Sequence, residues 1–307
     1  MKHVKIMGLA LVAVIASAAF AASSAMALPE WGKCEAKAGG KYADSNCTIK
    51  ASKKVPGSFE WKKGSQLPNE KFTGGSVGSG GVLSVNLRGC INGKYESTRV
   101  SKKKCEEGAG EWSEENGSTK VECESERNSG ETTGKKGLAN VESTFSGCKL
   151  FGTIPCGNVA EGEVQVNTLK GELGYINKAE HKVGVLLTPV AKKGRFVTFE
   201  CGGFLKNVVG VGNSKEGAAY SPESTGGYDG IISPITPVNQ MTSSYEQVFS
   251  VKYPVDENVP SKFEGKHIEL LESYSEQTEN LSSSGWSTAG EELTNVNHPE
   301  TAGEIKG

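Results

Sequence analysis

Hydrophobic and polar residues alternate with a period of two along most of the chain beyond residue 27. The alternation is clear in residues 82–87 and again in residues 247–253. Successive side chains of a strand point to opposite faces, so this period indicates half-buried β-strands. No segment beyond residue 27 shows a strong 3.6-residue period, and the pattern therefore predicts an all-β chain.

One hairpin can be placed around residues 173–187. Leu173 and Tyr175 fall on one face of its first strand, and Val183, Val185 and Leu187 share a face of the second. The intervening residues are polar and suit a turn. Strand-like segments recur about every ten residues, separated by glycine and serine, which favours an antiparallel β-sandwich or a barrel-like fold.

The first 27 residues are typical of a secretory signal peptide. Lys2 and Lys5 precede an apolar run over residues 6–20, and Ala25-Met26-Ala27 fits a cleavage site. An uncleaved membrane anchor is disfavoured because the run is short and ends in small residues. No later segment is apolar enough to span a bilayer, so we expect a secreted, extracellular protein that begins at Leu28.

Cysteine usage fits this compartment. An even number of cysteines in an exported chain predicts four disulfides. Pairing nearest neighbours gives Cys34–Cys47, Cys90–Cys105 and Cys148–Cys156, which leaves Cys123–Cys201, and other connectivities stay open. Because the chain has no Cys-x-x-Cys motif and no histidine close to a cysteine beyond residue 27, a zinc site is disfavoured. We expect no metal and no cofactor.

Composition divides the chain into four segments. We predict a signal peptide at 1–27, a Gly/Cys-rich β region with a charged loop at 28–117, the main β domain at 118–272, and a Ser/Glu-rich segment at 273–307. The last segment shows no strand pattern near its end, so we expect it to be partly disordered. Charge is balanced, with 34 Lys and Arg against 36 Asp and Glu, which disfavours a nucleic-acid partner.

Five segments carry a resemblance to a known group of proteins: Val121-Glu122-Cys123, Phe145-Ser146-Gly147-Cys148 with Cys156, residues 171–179, residues 199–203 and residues 233–241. On these segments the chain resembles a group of exported, uncharacterised proteins of soil actinobacteria, over more than half of its length beyond residue 27. The string from Gly171 to Ala179 is the most specific of these. The resemblance implies export and an all-β fold, and it implies no activity.

Nucleophilic catalysis is poorly supported. Gly74-Gly75-Ser76-Val77-Gly78 matches the G-x-S-x-G pattern, but that motif needs a buried strand before the serine and a helix after it, and a glycine-rich loop is the better interpretation. The available bases beyond residue 27 are His181, His267 and His298. His181 falls in the predicted turn, and pairing of all cysteines would leave no free thiol.

Paired carboxylates are the better case for an enzyme, because glycosidases need two acids at a defined separation. Glu161, Glu163 and Glu172 flank a predicted strand pair, and Glu200 lies beside Cys201. Glutamate is abundant throughout the chain, so most of these side chains are expected to be solvated.

Exposed aromatic residues offer a binding hypothesis, since flat rings combine an apolar face with a polar edge. Trp112 lies in a Glu-rich loop and Trp286 among serines, and these two are the candidate glycan contacts. Trp31 and Trp61 are the other tryptophans, and Trp61 alternates with Phe59 as a core residue would. Residues 220–228 form a further Gly-rich aromatic loop.

These observations predict a secreted, non-catalytic extracellular or cell-surface β protein with a structural or binding role. The candidate partner is cell-wall or extracellular glycan. The alternative is an extracellular polysaccharide-active hydrolase that uses two glutamate carboxylates.

Overall fold

The computed structural model describes residues 29–86, 89–91, 107, 111–113, 118–190, 195–203, 205–210, 228–250, 262–265, 267–269, 271–277 and 287–307. The predicted signal peptide lies outside these residues. Within the described part the chain is all-β, as the alternating pattern predicts, with one short 3-10 helix at Gly64–Gln66. No helix there is long and apolar enough to cross a membrane. The strands are β1 (Glu30–Ala36), β2 (Phe59–Lys63), β3 (Glu70–Ser76), β4 (Val82–Asn86), β5 (Gly89–Ile91), β6 (Glu111–Ser113), β7 (Ser118–Glu122), β8 (Ser125–Thr133), β9 (Gly137–Ser146), β10 (Lys149–Leu150), β11 (Ile154–Gly157), β12 (Glu163–Gln165), β13 (Leu169–Asn177), β14 (Lys182–Pro189), β15 (Arg195–Cys201), β16 (Leu205–Gly210), β17 (Tyr228–Thr236), β18 (Tyr245–Ser250), β19 (Lys262–Phe263), β20 (His267–Glu269), β21 (Glu272–Gln277), β22 (Ser287–Pro299) and β23 (Glu304–Lys306).

Eight antiparallel strands close into a barrel, so the barrel-like alternative is the one adopted. Their order is β3–β8–β9–β13–β14–β17–β18–β22, and β22 pairs with β3 to complete the circuit. Closure gives every strand two neighbours and removes the exposed sheet edge. The side chains that point inwards from these strands form the principal core.

A second ring of antiparallel pairings continues from the barrel. It runs β22–β4–β7–β10–β11–β15–β16–β21 and returns to β22, whose residues 287–292 belong to this ring and whose residues 292–299 belong to the barrel. Inward side chains of both rings pack into one hydrophobic cluster. Among the described residues, the principal core is therefore continuous inside the two connected rings.

The hairpin predicted around residues 173–187 is β13 and β14. Leu173 pairs with Val185 and Tyr175 with Val183, and all four side chains are buried in the core. The opposite face of this hairpin is covered by Phe263, which packs with Leu186 and Ile232 and contacts the backbone at Gly174. This covered outer face explains why the middle of β14 is buried on both sides.

A three-stranded sheet of β2, β1 and β23 caps one end of the barrel. Trp31 from this cap meets Tyr245 of the barrel edge to face, with ring centroids 5.6 Å apart. Lys33 pairs with Glu70, and Glu70 Oε1 accepts hydrogen bonds from the backbone N–H (2.7 Å) and the hydroxyl (2.6 Å) of Thr301. The cap is thereby fixed to the barrel by polar as well as apolar contacts.

Most of the described part of the C-terminal segment forms β-strands, and the expectation that the segment is partly disordered stays a prediction. β22 spans 13 residues and pairs with β18, β21, β3 and β4, while β23 buries Ile305 completely in the cap. The polar residues of this segment conceal its strand, because Asn295 and Asn297 point into the barrel where apolar residues would be expected. The sheet also crosses the segment boundary placed at residue 117, since β3 and β4 pair with β8 and β7.

Two of the four predicted disulfide pairs are wrong. Cys34–Cys47 is present as predicted, but Cys123 bonds to Cys148 and Cys156 to Cys201. Cys156 and Cys201 face each other across β11 and β15, so strand register selects the partner in place of nearness in sequence. Cys105 lies outside the described residues, and the Cys90–Cys105 pair therefore stays a prediction.

Candidate functional site

A cavity of about 140 Å³ lies inside the two rings. An engineered cavity of about 150 Å³ lined by apolar side chains stays dry and binds benzene, so this space is large enough for one small ring. We call it the interior cavity. Most of its wall is apolar and comes from strands of both rings, including Leu169, Leu187, Phe196, Phe199, Ile231 and Phe249.

One side of the interior cavity is polar. We call this surface the polar stripe, and it arises because inward positions of neighbouring strands carry amides, a carboxyl and a hydroxyl where apolar residues would be expected. On β22, for example, Leu293, Asn295 and Asn297 alternate on the buried face. The polar stripe consists of Glu126, Asn128, Ser143, Gln247, Asn295 and Asn297. A second carboxyl, that of the half-buried Glu291 on β22, also lines the interior cavity.

Glu126 is the buried carboxyl of the polar stripe, with 3% of its surface exposed. It accepts a hydrogen bond of 2.5 Å from Ser143 Oγ and one of 3.4 Å from Asn128 Nδ2. Burial raises the pKa of Glu126, and the hydrogen bonds only partly oppose this. No cationic side chain among the described residues forms an ion pair with it, so its negative charge has no counter-ion there.

Three asparagine side chains of the stripe have amide oxygens without a hydrogen-bond partner, whereas the amide of Gln247 is bonded through both its atoms. Asn297 Nδ2 donates to Gln247 Oε1 at 2.6 Å, and Gln247 Nε2 donates to Ser233 Oγ at 3.0 Å. Asn128 Nδ2 donates to Glu126 Oε2 at 3.4 Å. Within the described part of the chain, Asn128 Oδ1, Asn295 Oδ1 and Asn297 Oδ1 are buried without a hydrogen-bond partner. Such acceptors cost free energy unless a donor reaches them.

Gly74 explains how two of these oxygens come together. It lies on β3 between its cross-strand partners Asn128 and Asn297. A Cβ atom at this position would clash with Asn297 Oδ1 and would lie 2.8 Å from Asn128 Oδ1. A glycine within a strand often marks the close approach of another group, and here it leaves room for two amide oxygens.

A smaller cavity of about 50 Å³ separates the barrel from the cap. Phe72, Leu138, Gln247 and Asn297 line both this space and the interior cavity. The cap side includes Trp31, and the barrel side includes Tyr245, whose pKa is raised by burial and by nearby Glu304 and Glu70. The cap therefore lies next to the polar stripe and shields it from solvent at this end.

Two of the four candidate carboxylates lie at one groove. Glu161 and Glu200 both line an open space of about 810 Å³ beside Gly202 and Gly203, and both side chains are exposed. Glu163 is half-buried on β12, Glu172 is exposed on β13, and neither lines this groove. Glu126 is a buried carboxyl in the wall of the interior cavity, and it is not among the residues that the sequence pattern predicted.

The G-x-S-x-G motif does not form a nucleophile elbow. Ser76 ends β3, a turn and β4 follow in place of a helix, and Ser76 Oγ accepts a hydrogen bond of 3.0 Å from the backbone N–H of Glu126. His181 occupies the β13–β14 turn as predicted, and it is exposed there. His298 is exposed on β22, and the side chain of His267 lies outside the described ones.

The candidate glycan contacts lie largely outside the described part of the chain. Trp112 belongs to β6, but its side chain is not among those described, and Trp286 and residues 220–227 are outside the description. Trp31 and Trp61 belong to the cap, where the Lys306 ammonium lies 4.2 Å from the ring centroid of Trp61. Among the described residues, no group of three or more His, Cys, Asp or Glu side chains could hold a metal ion.

No family model matches the chain, and no curated protein or solved structure is significantly similar to it. The resemblance to exported actinobacterial proteins therefore stays a prediction.

The polar stripe could have been recognised from the sequence only in part. The alternation in residues 293–297 places two asparagines in the phase of Leu293, and that phase is the buried one. Without knowledge of which strands are neighbours, this pattern looks like a solvent-exposed strand. The convergence with Glu126 and Gly74 depends on the β22–β3 and β3–β8 pairings, which link Gly74 to Asn297, 223 positions away, and to Asn128, 54 positions away.

Proposed function

We propose that this protein is an extracellular, non-catalytic binding protein that holds a small molecule inside the barrel. The observation that carries the proposal is the interior cavity, which combines a long apolar wall with a polar stripe. Ligand sites commonly pair an apolar lining with a few placed polar groups. Closed barrels of eight strands have an interior that is either just filled by side chains or holds one small ligand.

Export is part of the proposal. It is supported by the signal-peptide pattern of residues 1–27 and by three disulfides in the described chain, because disulfides persist in oxidising compartments. Two of these disulfides tie strands of the second ring, which would help to keep the cavity wall rigid outside the cell.

The test is binding of small apolar probes, such as toluene and indole, to the oxidised exported protein. We expect each probe to raise the melting temperature by an amount that grows with the logarithm of its concentration above Kd, since a ligand that binds only the folded state stabilises it. Val164→Phe, which adds volume at the cavity wall, should abolish the shift. Val159→Phe is the matched control, because Val159 is 58% exposed, and it should retain the shift.

A second variant keeps the test informative if Val164→Phe fails to fold. Leu187→Ala enlarges the interior cavity and should admit a larger probe, such as naphthalene, that the wild type excludes. Absence of binding in the wild type and in Leu187→Ala, with native circular dichroism in both, would refute an interior ligand site.

The groove at Glu161 and Glu200 supports a second candidate function, that of a polysaccharide-active hydrolase. Two carboxylates at one groove match the minimum that glycoside hydrolysis requires, although neither is buried as general acids commonly are. Sugar release from cell-wall sacculi and insoluble polysaccharides tests this candidate. Release that is abolished by Glu161→Gln or Glu200→Gln, but not by Glu172→Gln, would replace the binding proposal with an enzymatic one.

Glycan binding through Trp112 and Trp286 is tested in the same assay. Co-sedimentation with sacculi that is lost in Trp112→Ala and Trp286→Ala variants would place a second binding site on the surface. Trp61→Ala serves as the control, because Trp61 packs within the cap.

A further inference from the structure

We propose that the ligand of the interior cavity is a small organic amine, with Glu126 as the counter-ion of its ammonium group and the amide oxygens of Asn128 and Asn297 as acceptors. This inference rests on the proposed function and names the chemical class of the ligand.

The open polar atoms of the stripe are acceptors. Asn128 and Asn297 direct their nitrogens to Glu126 and Gln247, so the unpartnered atoms that remain are oxygens. Asn297 is 7% exposed and Asn295 4% exposed, so bulk solvent does not satisfy them. The complementary ligand must therefore present hydrogen-bond donors. An ammonium group has three donors and no acceptor.

Glu126 selects for positive charge. A buried carboxylate without a counter-ion is costly, and a cation that enters the site removes that cost. The same charge disfavours carboxylate and phosphate ligands, because like charges repel strongly away from water. The hydrogen bond from Ser143 fixes one carboxyl oxygen, and Asn128 holds the other. The carboxyl is thus already oriented before a ligand arrives.

The remainder of the cavity sets the shape of the ligand. The polar stripe is faced by apolar side chains such as Leu169, Leu187 and Phe196, and the volume of about 140 Å³ suits one ring. An arylalkyl amine the size of benzylamine satisfies both requirements. A hard metal ion fits less well, because Ca²⁺ takes six to eight oxygen ligands and the stripe offers one carboxyl with three open amide oxygens.

The test is isothermal titration calorimetry of the full exported protein with benzylamine, toluene and benzoate at neutral pH. We expect benzylamine to bind at least about tenfold more tightly than toluene, since a charge-assisted hydrogen bond adds about this much affinity. Benzoate should not bind. Glu126→Gln should remove the advantage of benzylamine and leave toluene binding within about twofold of the wild-type value.

Glu142→Gln is the matched control, because Glu142 lies on neighbouring β9 with an exposed side chain, and its benzylamine affinity should equal that of the wild type. Asn297→Leu removes an acceptor and should weaken benzylamine more than toluene. If toluene binds and benzylamine binds no more tightly than toluene, the amine inference fails while the proposed function stands. If no probe binds, both fail. Stronger binding of Ca²⁺ than of benzylamine, lost in Glu126→Gln, would overturn the amine in favour of a metal.

Discussion

Glu126 sets the electrostatics of the barrel interior. Its carboxyl is buried among apolar side chains, is held by Ser143 and Asn128, and has no cationic partner among the described residues. A group in this state is sensitive to pH, since its charged form is the one that burial disfavours. The pH dependence of the stability of the empty protein should therefore contain a contribution from Glu126.

Glu126→Gln should remove part of the pH dependence of stability. Because burial raises the pKa of Glu126 above its ordinary value of 4.5, the folded state holds the proton more tightly than the unfolded chain. The resulting stabilisation is complete below about pH 4.5 and is lost as pH rises through the folded-state pKa. In urea unfolding, the wild type should lose free energy of unfolding relative to Glu126→Gln across this window.

The exposed Glu142→Gln variant should follow the wild type at every pH. Parallel stability curves for wild type and Glu126→Gln would show that the carboxyl of Glu126 is not desolvated in solution.

Gly74→Ala tests the close approach of the two amide oxygens. The added methyl group must displace Asn297 Oδ1 and crowd Asn128 Oδ1. We expect a loss of about 1–3 kcal/mol in the free energy of unfolding, measured by chemical denaturation, as for other overpacked cores. Thr73→Ala, at an exposed position on the same strand, should stay within about 0.5 kcal/mol of the wild type.

At the scale of elements, the second ring depends on its disulfides. Cys156 and Cys201 are fully buried and join β11 to β15 across a separation of 45 residues. The double variant Cys156→Ala/Cys201→Ala should lower the free energy of unfolding by about 2–5 kcal/mol, because it frees a long loop in the unfolded chain and removes buried contacts. Cys34 and Cys47 close a loop of only 13 residues, so the corresponding double variant should lose less in the same denaturation experiment.

The cap should respond to a change in its last strand. Ile305 is completely buried between the cap and the core, so Ile305→Ala should cost about 2–5 kcal/mol and loosen the cap. Limited proteolysis should then cleave within residues 29–63 faster than in the wild type. Lys306→Ala is the comparison, since that side chain lies over Trp61 at the surface of the cap, and an equal increase in cleavage would contradict a specific role for Ile305.

The alternation of apolar and polar residues was sufficient to predict those strands whose inward-facing residues are apolar. The hairpin of β13 and β14 followed from Leu173, Tyr175, Val183 and Val185, because each apolar residue occupies the buried phase. The same reasoning failed for β22, whose inward asparagines look like solvent-facing residues. The disulfide partners of Cys123 and Cys156 were missed for a related reason: they are fixed by register between strands that are distant in sequence.

At the scale of the whole molecule, the exported protein should have a definite mass. We expect intact mass spectrometry to place its first residue at Leu28, because cleavage is predicted after Ala27. Reduction should add about 8 Da, since each of four disulfides gains two hydrogens. A gain of about 6 Da would mean that Cys90 and Cys105 are not bonded to each other. A first residue at Met1 would contradict signal cleavage.

The position of β22 also has a consequence for the order of biosynthesis. β22 follows every other strand of both rings along the chain, yet it closes both of them, by pairing with β3 and β18 in one and with β4 and β21 in the other. Neither ring can therefore close on the ribosome until residues 287–299 have been translated. Because neither ring can close before synthesis is almost complete, the nascent chain remains available for translocation as an unfolded polypeptide. The many pairings between residues distant in sequence imply slow folding after release.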